Sequence, residues 1–176
     1  MKKITIITPT YNRAKTLPKV FESLINQSFK DFLWIILDDG STDNTEKVVE
    51  NFQLLNPFFE IIYKKDKNRH KFLTVLEGVK MVKTPYFMVV DSDDIYPEDA
   101  LETLISEVEK IENQDNYVAV MGLSADENGK IVGNQYPNNG FDGSIFEMRY
   151  KHKVRGDKFG IFITKTYQRE ISGKDF

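Results

Sequence analysis

The chain has 176 residues, of which 24 are basic, 27 acidic and 40% hydrophobic, leaving a formal net charge of -3. That length and composition suit one folded domain and exclude general disorder. The near balance of charge gives no whole-protein pull toward nucleic acid, and the absence of cysteine excludes disulfide frameworks, zinc-thiolate sites and cysteine nucleophiles.

Along the chain, strand and helix patterns alternate. Ile4 to Thr8 is a short β-branched run, expected to stop at Pro9. Ala14 to Gln27 places Leu17, Val20, Phe21, Leu24 and Ile25 at helical spacing. Phe32 to Leu37 is continuously apolar, the mark of a strand buried on both faces, and ends abruptly at Asp38-Asp39-Gly40-Ser41. Asp43 is an expected N-cap for a helix carrying Val48, Val49 and Phe52. Phe58 to Tyr63 reads as a third strand and Phe72 to Val82 as a helix. Tyr86 to Val90 is another apolar strand, ending at Asp91-Ser92-Asp93-Asp94. Pro97 is expected to open a helix containing Leu101, Leu104, Ile105 and Val108. Val118 to Leu123 is a fifth strand, Asn128-Gly129 a turn, Gln135 to Ser144 a loop and Gly160 to Thr164 a final strand.

Such alternation implies a sheet covered by helices, whose ligands bind outside the carboxyl ends of the strands. Three strand ends carry unusual residues: Pro9-Thr10-Tyr11-Asn12-Arg13, Asp38 to Asp43, and Asp91 to Asp94. Any one of them reads equally as turn and capping chemistry. Parallel strands would bring all three to one rim, where carboxylates repel unless a cation sits among them. Mg²⁺ or Mn²⁺ is held by one or two carboxylates plus substrate phosphates, so the conjunction points to a metal-diphosphate site.

Together these residues resemble the family 2 glycosyltransferases. The resemblance rests on Pro9 to Asn12, on Asp38-Asp39-Gly40-Ser41-Thr42-Asp43, and on Asp91 to Asp94 followed by Pro97 and Asp99. It implies a GT-A fold: an α/β three-layer sandwich with a mostly parallel central sheet. It also implies a single domain over 1–176, with a nucleotide-binding core over 1–123 and the start of an acceptor-side region over 124–176. The implied donor is a nucleotide sugar, with uracil favoured. Pro9, Thr10 and Tyr11 would line the nucleoside pocket, Asp39 would accept from the base, and Asp38 would support that loop. Asp91, with Ser92 beside it, would sit near the ribose or metal, and Asp93 would hold Mn²⁺ or Mg²⁺. Arg13 would help at the diphosphate, and Lys71 would reach the base or the phosphates. Relatives carry glycines where this chain reads Asn68-Arg69-His70-Lys71, a departure that bears on the donor contacts.

The family inverts the anomeric centre, passing a sugar to an acceptor hydroxyl on a saccharide or other molecule while a carboxylate takes the proton. Within the chain Asp175 is the candidate base; the resemblance otherwise places it past Phe176, in which case this is a shortened, donor-binding form. A sugar nucleotidylyltransferase would need a glycine-rich loop after the first strand, and Pro9 to Arg13 has no glycine. A receiver-type signalling domain would want its acidic pair after the first strand. No stretch reaches the roughly 18 apolar residues of a membrane span. The expected setting is cytoplasmic, with peripheral attachment to the membrane's inner face and oligomerisation both left open.

Overall fold

The computed structural model describes residues 2–114 and 116–172. Its elements are β1 (Ile4–Thr10), α1 (Leu17–Ile25), β2 (Phe32–Asp38), α2 (Thr45–Leu55), β3 (Glu60–Lys65), α3 (Lys71–Met81), β4 (Tyr86–Val89), α4 (Ala100–Glu109), β5 (Ala119–Leu123), β6 (Lys158–Ile163) and α5 (Thr164–Ile171). The six strands form one sheet in the order β3-β2-β1-β4-β6-β5. β1 is parallel to both β2 and β4, β2 is parallel to β3, and β6 runs antiparallel to β4.

The expected mostly parallel α/β sheet is therefore present. Two boundaries differ from expectation. β1 continues through Pro9 to Thr10 instead of stopping before the proline. The carbonyl of Ile7 accepts from Val90, on the β4 side, and Pro9 lies two residues further along the same edge. β4 pairs only as far as Ile7, so the N–H that proline lacks has no ladder partner to lose. The second difference is α4, which begins at Ala100 with Asp99 as its N-cap, not at Pro97. The Pro97 carbonyl accepts from Gln27 Nε2 at 2.7 Å and from Ala100 N, forming a turn that precedes the helix.

Strand alternation sorts the core onto two faces of the sheet. On one, Trp34 stacks within 6.2 Å of Phe21 and 6.0 Å of Phe52, and donates Nε1–H to Thr8 Oγ1 at 2.9 Å. On the other, Ile7, Ile35, Leu37 and Phe87 pack with Val79 of α3 and with Val82 just past its end. Gly78 permits that contact, because a Cβ there would lie 2.8 Å from both Ile7 Cγ2 and Leu37 Cδ1. Tyr167 and Ile171 of α5 join the same cluster.

The chain forms two compact units. One runs to Val120 and resumes at Ile161; the other is Met121–Gly160. In the second, Asp126 N donates to the Lys130 carbonyl and Gly129 has φ +77°, closing the expected turn. Gly133 and Gly156 cross so closely that a Cβ on either would stand 2.2 Å from a carbonyl oxygen beside the other. A π-helical turn at Glu147–Lys151 buries Met148.

Candidate active site

The three strand ends meet in the first unit. Hydrogen bonds join the loops after β1 and β2 directly. Asn12 takes φ +54° and turns its Oδ1 toward the β2–α2 loop, where it accepts from Thr42 N at 2.8 Å and Asp43 N at 3.3 Å. In return Asn12 N donates to Ser41 Oγ at 2.8 Å and Arg13 N to Thr45 Oγ1 at 3.0 Å. Asp43 Oδ2 accepts from Ala14 N, and Oδ1 accepts from Thr45 N and Thr45 Oγ1. Desolvation opposes its charge, but these hydrogen bonds prevail and hold its carboxyl below the usual aspartate range. Asp43 thus caps from one residue before Asn44, the N-cap position itself.

The acidic pair after β2 divides its work. Asp38 is 1% exposed; its Oδ1 accepts from Ser41 N at 2.7 Å and its Oδ2 from the Tyr63 hydroxyl at 2.5 Å. It lies beneath the loop and does not line the cavity above. Asp39 does line it. Asp39 N donates to the Thr10 carbonyl, and its Oδ1 accepts from Arg69 N at 2.6 Å. A carboxylate has about four lone-pair sites, so Asp39 keeps acceptor capacity for a ligand.

The cavity has a volume of about 400 Å³. Pro9, Thr10, Tyr11 and Arg13 supply one wall, Asp39 a second, Asn68, His70 and Lys71 a third, and Asp91, Ser92 and Asp93 the fourth. Every expected donor-side residue except Asp38 therefore borders one space. Asp175 lies outside the described residues. Lys71 Nζ stands 2.6 Å from Asp91 Oδ2, and Arg13 Nη2 stands 3.5 Å from Asp93 Oδ2. Three carboxylates face two fixed cations, which leaves one negative charge in excess.

Two features of the wall were not legible from composition alone. Thr10 Oγ1 is buried with no hydrogen-bond partner in the structure, although it borders the cavity. Buried hydroxyls are ordinarily satisfied. His70 has φ +71° and ψ +144°, a region where side chains with a Cβ are strained. Its carbonyl accepts from Leu73 N and Thr74 N, so the strained residue also starts α3. The glycines missing from this segment are the one sequence signal that pointed there.

Among the described residues no cluster of three or more His, Cys, Asp or Glu side chains is placed to hold a metal ion. Asp91 and Asp93 still suit a hard divalent cation, because such ions are held by one or two carboxylates when phosphate oxygens complete the shell.

The sequence pattern of glycosyl transferase family 2 matches residues 5–173. The chain belongs to this family. Among curated relatives it is 32% identical over 186 residues to the poly(ribitol-phosphate) β-N-acetylglucosaminyltransferase TarP of Staphylococcus aureus, covering 99% of this chain and 51% of that protein. It is 27% identical to a GalNAc(5)-diNAcBac-PP-undecaprenol β-1,3-glucosyltransferase of Campylobacter jejuni, covering 100% of this chain and 56% of that protein. This family 2 chain thus spans about half the length of these curated relatives. In fold it matches the crystal structure of S. aureus TarS with a TM-score of 0.68 at 20% identity, over 97% of this chain and 30% of that one. A mannosyltransferase from Pyrobaculum calidifontis, solved with GDP-Man and Mn²⁺, matches with a TM-score of 0.67 at 16% identity, over 99% of this chain and 48% of that one. No helix among the described residues is long and apolar enough to cross a membrane.

Proposed function

We propose that this chain is the nucleotide-sugar-binding part of an inverting glycosyltransferase, which passes a hexosyl-type sugar from a UDP-sugar to an acceptor hydroxyl with the help of Mn²⁺ or Mg²⁺. The observation that carries the reading is the meeting of all three strand-end loops and the start of α3 around one cavity. Pro9, Thr10 and Tyr11 line the nucleoside. Asp39 accepts from N3–H of uracil, which a cytosine would not offer. Asp38 positions Asp39 from below. Asp91 and Ser92 border the ribose and phosphates, and Asp93 with Asp91 holds the ion. Arg13 and Lys71 contact the diphosphate.

The charge of the cavity supports the metal. A nucleoside diphosphate sugar brings about two negative charges to a wall already negative by one, and an added cation makes that encounter more favourable. When bound, the ion supplies charge stabilisation for the departing diphosphate. The acceptor's proton passes to an Asp or Glu, for which Asp175 remains this chain's candidate. The substrates in the relatives' names, a polyol phosphate and a polyprenyl-linked saccharide, support a cell-surface polymer or its lipid-linked precursor as acceptor. A workplace at the inner face of the membrane fits that substrate class.

The test is a thermal-shift panel of UDP-, GDP- and dTDP-sugars with and without Mn²⁺. Metal-dependent stabilisation by a UDP ligand is expected. Stabilisation by a GDP or dTDP ligand alone would overturn the uracil preference, and no shift with any of them would sink the donor reading.

A further inference from the structure

We infer that Lys71 and Arg13 close the cation site in the nucleotide-free protein, and that a bound diphosphate opens it by drawing both side chains away from Asp91 and Asp93. This deepens the donor reading above and rests on it. Both carboxylates that would hold a divalent ion are already engaged by a cation: Asp91 by Lys71 Nζ at 2.6 Å and Asp93 by Arg13 Nη2 at 3.5 Å. All four side chains border the same cavity. A divalent ion arriving alone must displace an ammonium and a guanidinium, and it then finds too few protein ligands, since the described residues gather no third carboxylate or imidazole about it. A diphosphate arriving with the ion offers both cations new oxygen partners and supplies the missing metal ligands at the same step. Metal and nucleotide therefore each raise the other's affinity, as linkage requires.

All four side chains are substantially exposed, from 39% for Asp91 to 62% for Lys71. Exposed pairs of this kind are weak, so freeing Asp91 is worth roughly two- to fivefold in metal affinity.

The test measures free Mn²⁺ by electron paramagnetic resonance during titration of the wild-type chain, Lys71→Gln, Lys71→Arg and Lys67→Gln, each with and without UDP. Lys67 has the same charge four residues earlier but does not border the cavity, so it reports the bulk effect of removing a cation. Without UDP, Lys71→Gln is expected to bind Mn²⁺ about two- to fivefold more tightly, while Lys71→Arg and Lys67→Gln stay near wild type. The enhancement of Mn²⁺ affinity by UDP should be smaller in Lys71→Gln than in wild type. Unchanged or weaker Mn²⁺ binding by Lys71→Gln, an equal gain in Lys67→Gln, or no Mn²⁺ binding by any variant into the millimolar range would each overturn the inference. Failure of UDP to bind the wild type even with Mn²⁺ would instead sink the donor reading, while the UDP-free titrations still judge the gate.

Discussion

The Tyr63 hydroxyl on β3 donates to Asp38 Oδ2 at the end of β2, at 2.5 Å. One strand thereby fixes the carboxylate from which the next residue, Asp39, is presented to the cavity. Burial first, and the Asp38 carboxylate second, push the Tyr63 phenol well above its ordinary range. Tyr63→Phe should cost about 1–3 kcal/mol, the penalty for leaving a buried acceptor without its donor. It should also weaken UDP binding through the loosened Asp39 loop. Urea denaturation and a UDP titration check the two effects.

The same tyrosine fixes the sign of a pH effect. The folded chain keeps the Tyr63 proton at pH values where the unfolded chain, ionising near 10, has released it. Tyr96 behaves alike, through burial and then the charges of Asp94 and Asp91. The unfolded state then binds fewer protons than the folded one, so stability falls as pH rises. The contribution is complete below about pH 10 and is lost progressively above it. Equilibrium unfolding at pH 9, 10 and 11 should show a declining midpoint that is shallower in Tyr63→Phe.

Thr10 separates stability from binding. Its hydroxyl is buried without a partner, so Thr10→Val removes an unsatisfied group and keeps the shape of the side chain. The variant should be as stable as wild type or more so, by up to about 1–2 kcal/mol, yet bind UDP several-fold more weakly. Loss of stability with unchanged UDP affinity would count against a ligand contact at this oxygen.

His70 offers a complementary trade. Its backbone conformation carries strain of about 1–3 kcal/mol, whereas glycine there costs about 0.5–1 kcal/mol in chain entropy. His70→Gly should therefore raise the melting temperature of the free chain. Because His70 borders the cavity, the same change should lower donor affinity.

Asp93→Ala should leave the fold intact, since the side chain is half-exposed and pairs only weakly with Arg13. The Mn²⁺-dependent part of any nucleotide-induced thermal shift should vanish, and the metal-independent part should remain. An undiminished Mn²⁺ effect would remove Asp93 from the cation site.

Much of this was legible in the residues themselves. Apolar runs such as Phe32 to Leu37 must lie in a sheet covered on both faces, and acidic clusters after two such runs had to share a rim once the strands were parallel. What the sequence hid depended on partners distant in the chain. Pro9 reads as a strand breaker until β4 is seen to stop pairing at Ile7. Asn12 reads as a helix cap, but its amide spans to Thr42 and Asp43. α5 went unread because its apolar contacts, Tyr167 and Ile171, are sparse. The role of Asn68 and His70 as cavity wall was also hidden, because the missing glycines mark a departure there but not that the loop folds over Gly40, whose absent Cβ would lie 3.1 Å from Asn68 N.

The central place of β1 has a consequence for how the chain comes into being. Ile4 must find Phe32 on one side and Tyr86 on the other, so neither partner can be reached by a short hairpin. Non-local pairing of this kind makes for slow folding. At a synthesis rate of roughly 5–20 residues per second, the apolar segment Ile4 to Ile7 emerges seconds before Tyr86 is made. During that interval one of its edges stays unsealed, open to a chaperone or to another nascent chain.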